Sequence, residues 1–260
     1  MQQITSRDNP LVKRVRALAR SSREVKKQGL TLLDGDHLLR AALGAGRSVE
    51  QVLLSASGAG RHDYLALASA AGCPVTQLPD ALFASVSPVE SPSGILALMA
   101  VPASPAPAAS GTVVVLDAVQ DAGNLGTILR TAAAAAASQV WLTDGCAQAW
   151  SPKVLRAGMG AHFALEICEP VDAESRLVEF GGEVLATELG DGARSLYDCV
   201  LDEPLAWLFG NEGQGLRPAL SALATQRVRI PMPGPVESLN VGAAVAICLF
   251  EQRRRCGDAR

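Results

Sequence analysis

Apolar residues follow two rhythms along this chain. Near the start, Leu11, Val15 and Leu18 fall at helical spacing in DNPLVKRVRALARSS, with Asp8 as the expected N-cap and Pro10 in the first turn. LTLLDG, VEQVLLS, CPVTQL and GILALMA read as short strands, with helices at DHLLRAALGAG and RHDYLALASAAG between them. From residue 111 the alternation is stronger. TVVVLDAV is a β-branched apolar run of the kind buried on both faces of a parallel sheet, and the helix LGTILRTAAAAAA follows it. QVWLT, ALEIC, EVLATEL, LAWLFG and RVRI are further strands. Helices are expected at SPKVLRAG, AESRLVEF, LRPALSAL and NVGAAVAICLFEQRRR. The pattern predicts an α/β protein: a small N-terminal α/β domain over 1–100, and an α/β domain over 111–260 with a mostly parallel sheet. Between them VPASPAPAAS, residues 101–110, has the composition of a semi-rigid linker.

Composition narrows the class. The chain has 260 residues, of which 48% are hydrophobic and 19% charged, enough apolar material for a sizeable core. No apolar run is long enough to predict a membrane span, and the polar N-terminus MQQITSRDNP does not read as a secretory signal, so a cytoplasmic location is expected. The six cysteines form no C-x-x-C pair and His37, His62 and His162 lie far apart, so no metal is expected. The net charge of −3 hides an asymmetry. Residues 1–30 carry eight basic and two acidic groups, whereas 101–260 carry twelve basic and eighteen acidic ones. A basic arm on an acidic body can draw in phosphate, although a solvated helix face would look the same.

Three loops carry residues that a plain α/β scaffold does not need. In DAVQDAGNLGTILRTA, Asn124 stands where a helix begins and could simply cap it, while Arg130 lies in a helix otherwise made of Leu, Ile, Thr and Ala. In LAWLFGNEGQGL a strand breaks into Gly210, Asn211, Glu212, Gly213, Gln214 and Gly215, which permits close backbone approach to a ligand. No G-K-[ST] follows, and the spacing is not G-x-G-x-x-G, so neither common nucleotide loop fits. In IPMPGPVESLNVGAAVAICLFE, Pro231, Pro233 and Pro235 stiffen the loop, and Ser238 or Asn240 could cap the final helix. Ligands of parallel α/β sheets bind at the carboxyl ends of strands, where all three loops fall.

QDAGNLGTILRTA, LFGNEGQGL and IPMPGPVESLNVGAAVAICLFE together resemble, in order, the three signature motifs of the SpoU/TrmH RNA ribose 2′-O-methyltransferases of the SPOUT superfamily. SRDNPLVKRVRALARSSREVKKQGLTLLDGDHLLRAAL also resembles the substrate-binding domain of ribosomal RNA members. The resemblance implies a SPOUT-type catalytic domain with a deep trefoil knot, S-adenosylmethionine as cofactor, RNA (most of all 23S ribosomal RNA) as substrate, and a homodimer. It implies cofactor contacts at Thr187, Gly210, Ile230 and Leu239, and a reacting centre at Asn124, Arg130, Glu212, Ser238 and Asn240. Lys13, Arg14, Arg16 and Arg20 on the first helix, with Lys153 and Arg156, would contact RNA. Alternatives are a transfer RNA substrate or a non-catalytic RNA-binding assembly factor on the same scaffold. Ala122 in place of a common proline, Gly158 in place of a common serine, and the run AAAAAAS depart from the family pattern at positions outside the catalytic set.

Overall fold

A computed structural model describes residues 1–190 and 192–257. The chain forms two compact units. The first contains β1 (Gln2–Gln3), α1 (Pro10–Arg20), α2 (Ser22–Gln28), β2 (Leu30–Asp34), α3 (Asp36–Gly44), β3 (Gln51–Ser55), α4 (His62–Ala70), β4 (Val75–Leu78), α5 (Asp80–Val86) and β5 (Ile95–Ala100). The second opens with β6 (Thr112–Leu116), α6 (Ala122–Ala134) and β7 (Gln139–Leu142). The chain then contributes α7 (Pro152–Gly158) to the first unit. It completes the second with β8 (Glu166–Cys168), α8 (Ala173–Val178), β9 (Glu183–Thr187), β10 (Arg194–Ser195), β11 (Leu205–Phe209), α9 (Pro218–Ser221), β12 (Gln226–Arg229) and α10 (Val241–Cys256).

The first unit is a five-stranded mixed sheet in the order β1-β4-β3-β5-β2. Leu32, Leu53, Leu78, Leu96 and Leu98 project from one face onto Val12, Val15 and Leu18 of α1 and Phe83 and Val86 of α5. This is why α1 is a helix with three buried residues at a spacing of three. Its N-cap is Asn9, whose Oδ1 accepts from Leu11 N at 2.9 Å, and not the expected Asp8. Asp8 lies one residue too early and pairs with Lys13 at 3.0 Å, a bond that holds its carboxyl below the usual range.

Residues 111–260 were expected to form one domain, but Trp150–Phe163 cluster with the first unit. The physical reason is local. The buried Thr31 hydroxyl of β2 donates to Trp150 O at 2.5 Å, and α7 packs along β2. Its Val154 and Leu155 are fully buried.

The second unit is a seven-stranded sheet in the order β10-β12-β9-β11-β6-β7-β8, with every pair parallel. The central strands β6 and β11 are buried at all five positions, which accounts for their unbroken apolar sequences. One face packs on α8 and α9 through Val113, Val115, Trp141, Ala206 and Leu208. On the other face, Trp207 Nε1 donates to Gln252 Oε1 of α10 at 2.9 Å, and Gln252 Nε2 donates to Thr112 Oγ1 at 2.8 Å.

Gln252 is 1% exposed. Replacing it with leucine strands the buried indole N–H, at a cost of about 1–3 kcal/mol. Thermal unfolding of Gln252→Leu should therefore show a midpoint lowered by a few degrees.

Helices α6 and α10 lie side by side. Gly242 approaches Thr127 so closely that a Cβ there would sit 3.3 Å from Thr127 Cγ2. At the far end, Arg253 donates to Ala135 O and Ala136 O, capping the carbonyl end of α6. In VGAAVAICLF, α10 carries apolar residues nearly all round. It is buried along one face, through Val241, Val245, Cys248, Leu249 and Gln252, while Phe250 is 50% exposed.

Candidate active site

The three unusual loops meet at the carboxyl ends of parallel strands in the second unit. Asn124 lies in the first turn of α6, after β6; Glu212 follows β11; and Asn240 follows β12. Asp121, not Asn124, caps α6: its Oδ1 accepts from Asn124 N at 2.7 Å. The Asn124 side chain is thereby free for other contacts. Asn240 does cap α10, its Oδ1 accepting from Gly242 N at 2.9 Å and from Ala243 N at 3.4 Å. Its Nδ2 then donates to Asn124 Oδ1 at 2.9 Å, and Asn124 Nδ2 donates to Glu212 Oε1.

This chain of bonds fixes direction. The α10 amide N–H groups donate, and only the Asn240 oxygen can receive them, so the Asn240 NH₂ must face Asn124. That places the Asn124 oxygen toward Asn240 and its NH₂ toward Glu212, which must receive it as an acceptor. One helix terminus thus orients three side chains drawn from three distant parts of the sequence.

The glycine loop is built to fold back on itself. Asn211 and Gly215 exchange backbone bonds of 3.1 and 2.8 Å, with Gly215 at φ +69°. A Cβ on Gly210 would lie 2.1 Å from Gly215 C and 2.2 Å from Leu216 N, so only glycine fits there. Asn211 Oδ1 accepts from Gly213 N and Gln214 N at 2.8 and 3.3 Å, and its Nδ2 donates to Ala118 O at 2.9 Å.

The base of the loop is held by a residue that sequence reasoning missed. Asp117, 1% exposed, accepts from Arg217 N at 2.9 Å, Arg217 Nε at 2.7 Å and Thr143 Oγ1 at 3.0 Å. An aspartate ending the apolar run TVVVL was the signal, since a carboxylate buried at a strand's end needs several donors.

Beside this loop lies a cavity of about 460 Å³, within the range of small-molecule sites. Thr187, Gly210, Ile230 and Leu239 all line it, as does Ser238. Thr187 Oγ1 donates to Leu208 O at 2.9 Å, which fixes its rotamer. Among the described residues, the backbone of 231–239 makes no hydrogen bond, so its carbonyls and available amides are free for a ligand. Apolar walls from Ile230, Met232 and Leu239, beside free backbone groups, suit a planar heterocycle carrying a polar arm.

The structure does not bring every expected residue to this place. Arg130 is exposed, does not line the cavity, and makes no ion pair or hydrogen bond among the described residues. Six residues after Asn124, it sits about 9 Å further along α6 and about a third of a turn round.

The basic residues belong to the first unit. Lys13, Arg14 and Arg20 on α1 are exposed and Arg16 is half-buried. Lys153 and Arg156 on α7 are exposed too. Leu32 of β2 packs toward α1, while its neighbour Thr31 bonds Trp150 beside α7. Adjacent strand residues face opposite sides, so the two basic groups occupy opposite faces of the five-stranded sheet. Arg156 also has an acidic neighbour in Asp34, whose carboxyl is raised by burial and partly offset by the Arg156 charge. Among the described residues, no cluster of three or more His, Cys, Asp or Glu could hold a metal, and no helix is long and apolar enough to cross a membrane.

The fold and the three-loop site correspond to one protein family. The SpoU rRNA methylase family matches residues 111–250, and the MRM3-like substrate binding domain matches residues 9–97. The chain belongs to the SpoU rRNA methylase family. It is 33% identical over 256 residues to the Bacillus subtilis 23S rRNA (guanosine(2553)-2′-O)-methyltransferase RlmP, covering 97% of this chain and 100% of that one. It is 30% identical over 261 residues to the Streptomyces laurentii 23S rRNA (adenosine(1067)-2′-O)-methyltransferase, covering 97% and 95%. The crystal structure of an AdoMet-bound rRNA methyltransferase from Sinorhizobium meliloti superposes with a TM-score of 0.86 at 30% identity, over 99% of both chains.

Proposed function

We propose that this protein transfers a methyl group from S-adenosylmethionine to a ribose 2′-hydroxyl of ribosomal RNA, most of all 23S. The observation that carries the reading is the Glu212–Asn124–Asn240 network at the edge of a cavity sized for that cofactor. Thr187, Gly210, Ile230 and Leu239 would hold the cofactor, largely through backbone atoms.

The bound cofactor supplies a methyl already activated on a sulfonium. The chain must hold the ribose oxygen in line with that methyl and ease loss of its proton. Asn124, locked by Glu212 and Asn240, presents a fixed edge for the ribose, with Ser238 beside it on the cavity wall. An arginine guanidinium is a poor base, so Arg130 does not take the proton. Its guanidinium instead stabilises the developing alkoxide and the adjacent phosphate. Lys13, Arg14, Arg16 and Arg20 give phosphate contacts that position the RNA, and Lys153 and Arg156 serve a second stretch of it on the opposite sheet face.

The protein acts in the cytoplasm as a homodimer, and its C-terminal segment is threaded into the trefoil knot of its family. Two observations support the dimer. Phe250 lies exposed on α10, and Arg130 stands outside the cavity of its own subunit with no partner among the described residues. Arg130 then completes the site of the second copy.

The test is transfer of labelled methyl from S-adenosylmethionine to unmodified total RNA, followed by mapping of 2′-O-methyl positions. A single new mark in 23S ribosomal RNA is expected. A mark on transfer RNA, or cofactor binding without transfer, would overturn the reading.

A further inference from the structure

Among the described residues, the charged ones lining the cavity are Glu188 and Glu212, both acidic. Glu212 is committed to Asn124. Glu188 is not used by any step above. Its place is fixed by the backbone, since Glu188 N donates to Val228 O at 3.0 Å across the β9–β12 pair. Its Oε2 lies 3.5 Å from Arg227 Nε, and its side chain is 25% exposed. The preceding residue, Thr187, spends its hydroxyl on Leu208 O, so it donates nothing further. The apolar Ile230 and Met232 complete the same lining. On the strand-β9 wall of the cavity, the charged acceptor is therefore the Glu188 carboxylate.

We infer that Glu188 is the specificity-determining acceptor for the vicinal 2′- and 3′-hydroxyls of the cofactor's adenosyl ribose. This inference rests on the proposed cofactor. A vicinal diol offers two O–H donors, and a carboxylate accepts both, as acidic residues do for ribose in dinucleotide sites. The contact with Arg227, at 3.5 Å, engages one oxygen and leaves the rest of the carboxylate's acceptor capacity for the sugar. The ribose is common to S-adenosylmethionine and its demethylated product, so Glu188 sets affinity for both and has no part in the methyl step.

The experiment is titration calorimetry of wild type, Glu188→Ala and Glu188→Gln with S-adenosylmethionine and with S-adenosylhomocysteine, alongside thermal unfolding and steady-state kinetics. Glu188→Ala should weaken both ligands by a similar factor, about 10- to 100-fold. Glu188→Gln, which keeps one acceptor oxygen, should lose less. The KM for S-adenosylmethionine should rise while kcat at saturation holds and the unfolding midpoint stays put. Unchanged affinities would overturn the inference. So would a loss confined to S-adenosylmethionine, which would make Glu188 a counter-charge for the sulfonium. A wild-type protein that binds neither ligand would bring down the parent reading as well, whereas normal wild-type binding with an indifferent Glu188→Ala would bring down this inference alone.

Discussion

Arg130→Ala should lower methyl transfer by about 100- to 1,000-fold, with S-adenosylmethionine affinity unchanged. The expectation comes from where the side chain stands. Arg130 is exposed on α6, lines no part of the cavity and supports no ion pair among the described residues, so its removal disturbs neither the cofactor pocket nor the core. In the proposed reaction, what it removes is positive charge that would face the ribose oxygen as it becomes negative. Equal loss of cofactor affinity would show instead that Arg130 shapes the pocket.

A mixing experiment then decides which pocket it serves. Arg130→Ala subunits retain a normal cavity, and Gly210→Ala subunits retain Arg130. If the arginine crosses to the second copy, an equimolar mixture of these two inactive proteins recovers about one quarter of wild-type activity, because half the dimers then carry one complete site. If it serves its own subunit, subunit exchange recovers nothing.

Gly210→Ala should abolish measurable cofactor binding, with an affinity loss of about 100-fold or more. The new methyl would lie 2.1 to 2.4 Å from Gly215 C, Leu216 N and Gly215 O, all backbone atoms that cannot swing aside. To relieve the clash the loop must open, and the Asn211–Gly215 bridge must break. Overpacking of this kind also costs about 1–3 kcal/mol of stability. Gly213→Ala is the internal control. Its Cβ would meet only Asn211 Oδ1, at 3.4 Å, and calorimetry should find near-normal binding. If the two variants behaved alike, glycine at 210 would have no special role.

Much of the scaffold was readable because burial leaves a strong local signature. TVVVL and LAWLF are unbroken apolar runs, and both became central strands. Val15 and Leu18 marked α1 for the same reason, whereas Leu11, expected on the same face, is only partly buried and Val12 is buried in its place. What escaped was structure without such a signature. In α2 (SREVKKQ) only Val25 is buried, so no periodicity shows. The attachment of Trp150–Phe163 to the first unit depends on a hydroxyl–carbonyl bond between residues 31 and 150, a separation that no window of sequence spans.

The site divides similarly. Gly210, Asn240 and the proline-stiffened loop stand out as breaks in regular patterns. The meeting of Asn124 with Glu212 and Asn240 came from family likeness alone, because residues 88 and 116 positions apart carry no local mark of contact. Glu188 and Arg217 went unnoticed among ordinary charged surface residues. Their roles depend on what the neighbouring strands β12 and β6 place beside them.

The tie from Thr112 through Gln252 to Trp207 has a consequence for how the chain matures during synthesis. The strand made first in the second unit, β6, gains β7 soon after it, but its other edge waits for β11, roughly 90 residues later, and its face waits for α10 after that. Local hairpins cannot substitute, since every pairing in this sheet is a parallel one that needs a long crossover. A nascent chain would therefore leave one edge of β6 unpaired until β11 is made and one sheet face uncovered until α10 follows, which makes this half of the molecule a natural client for chaperones on the ribosome.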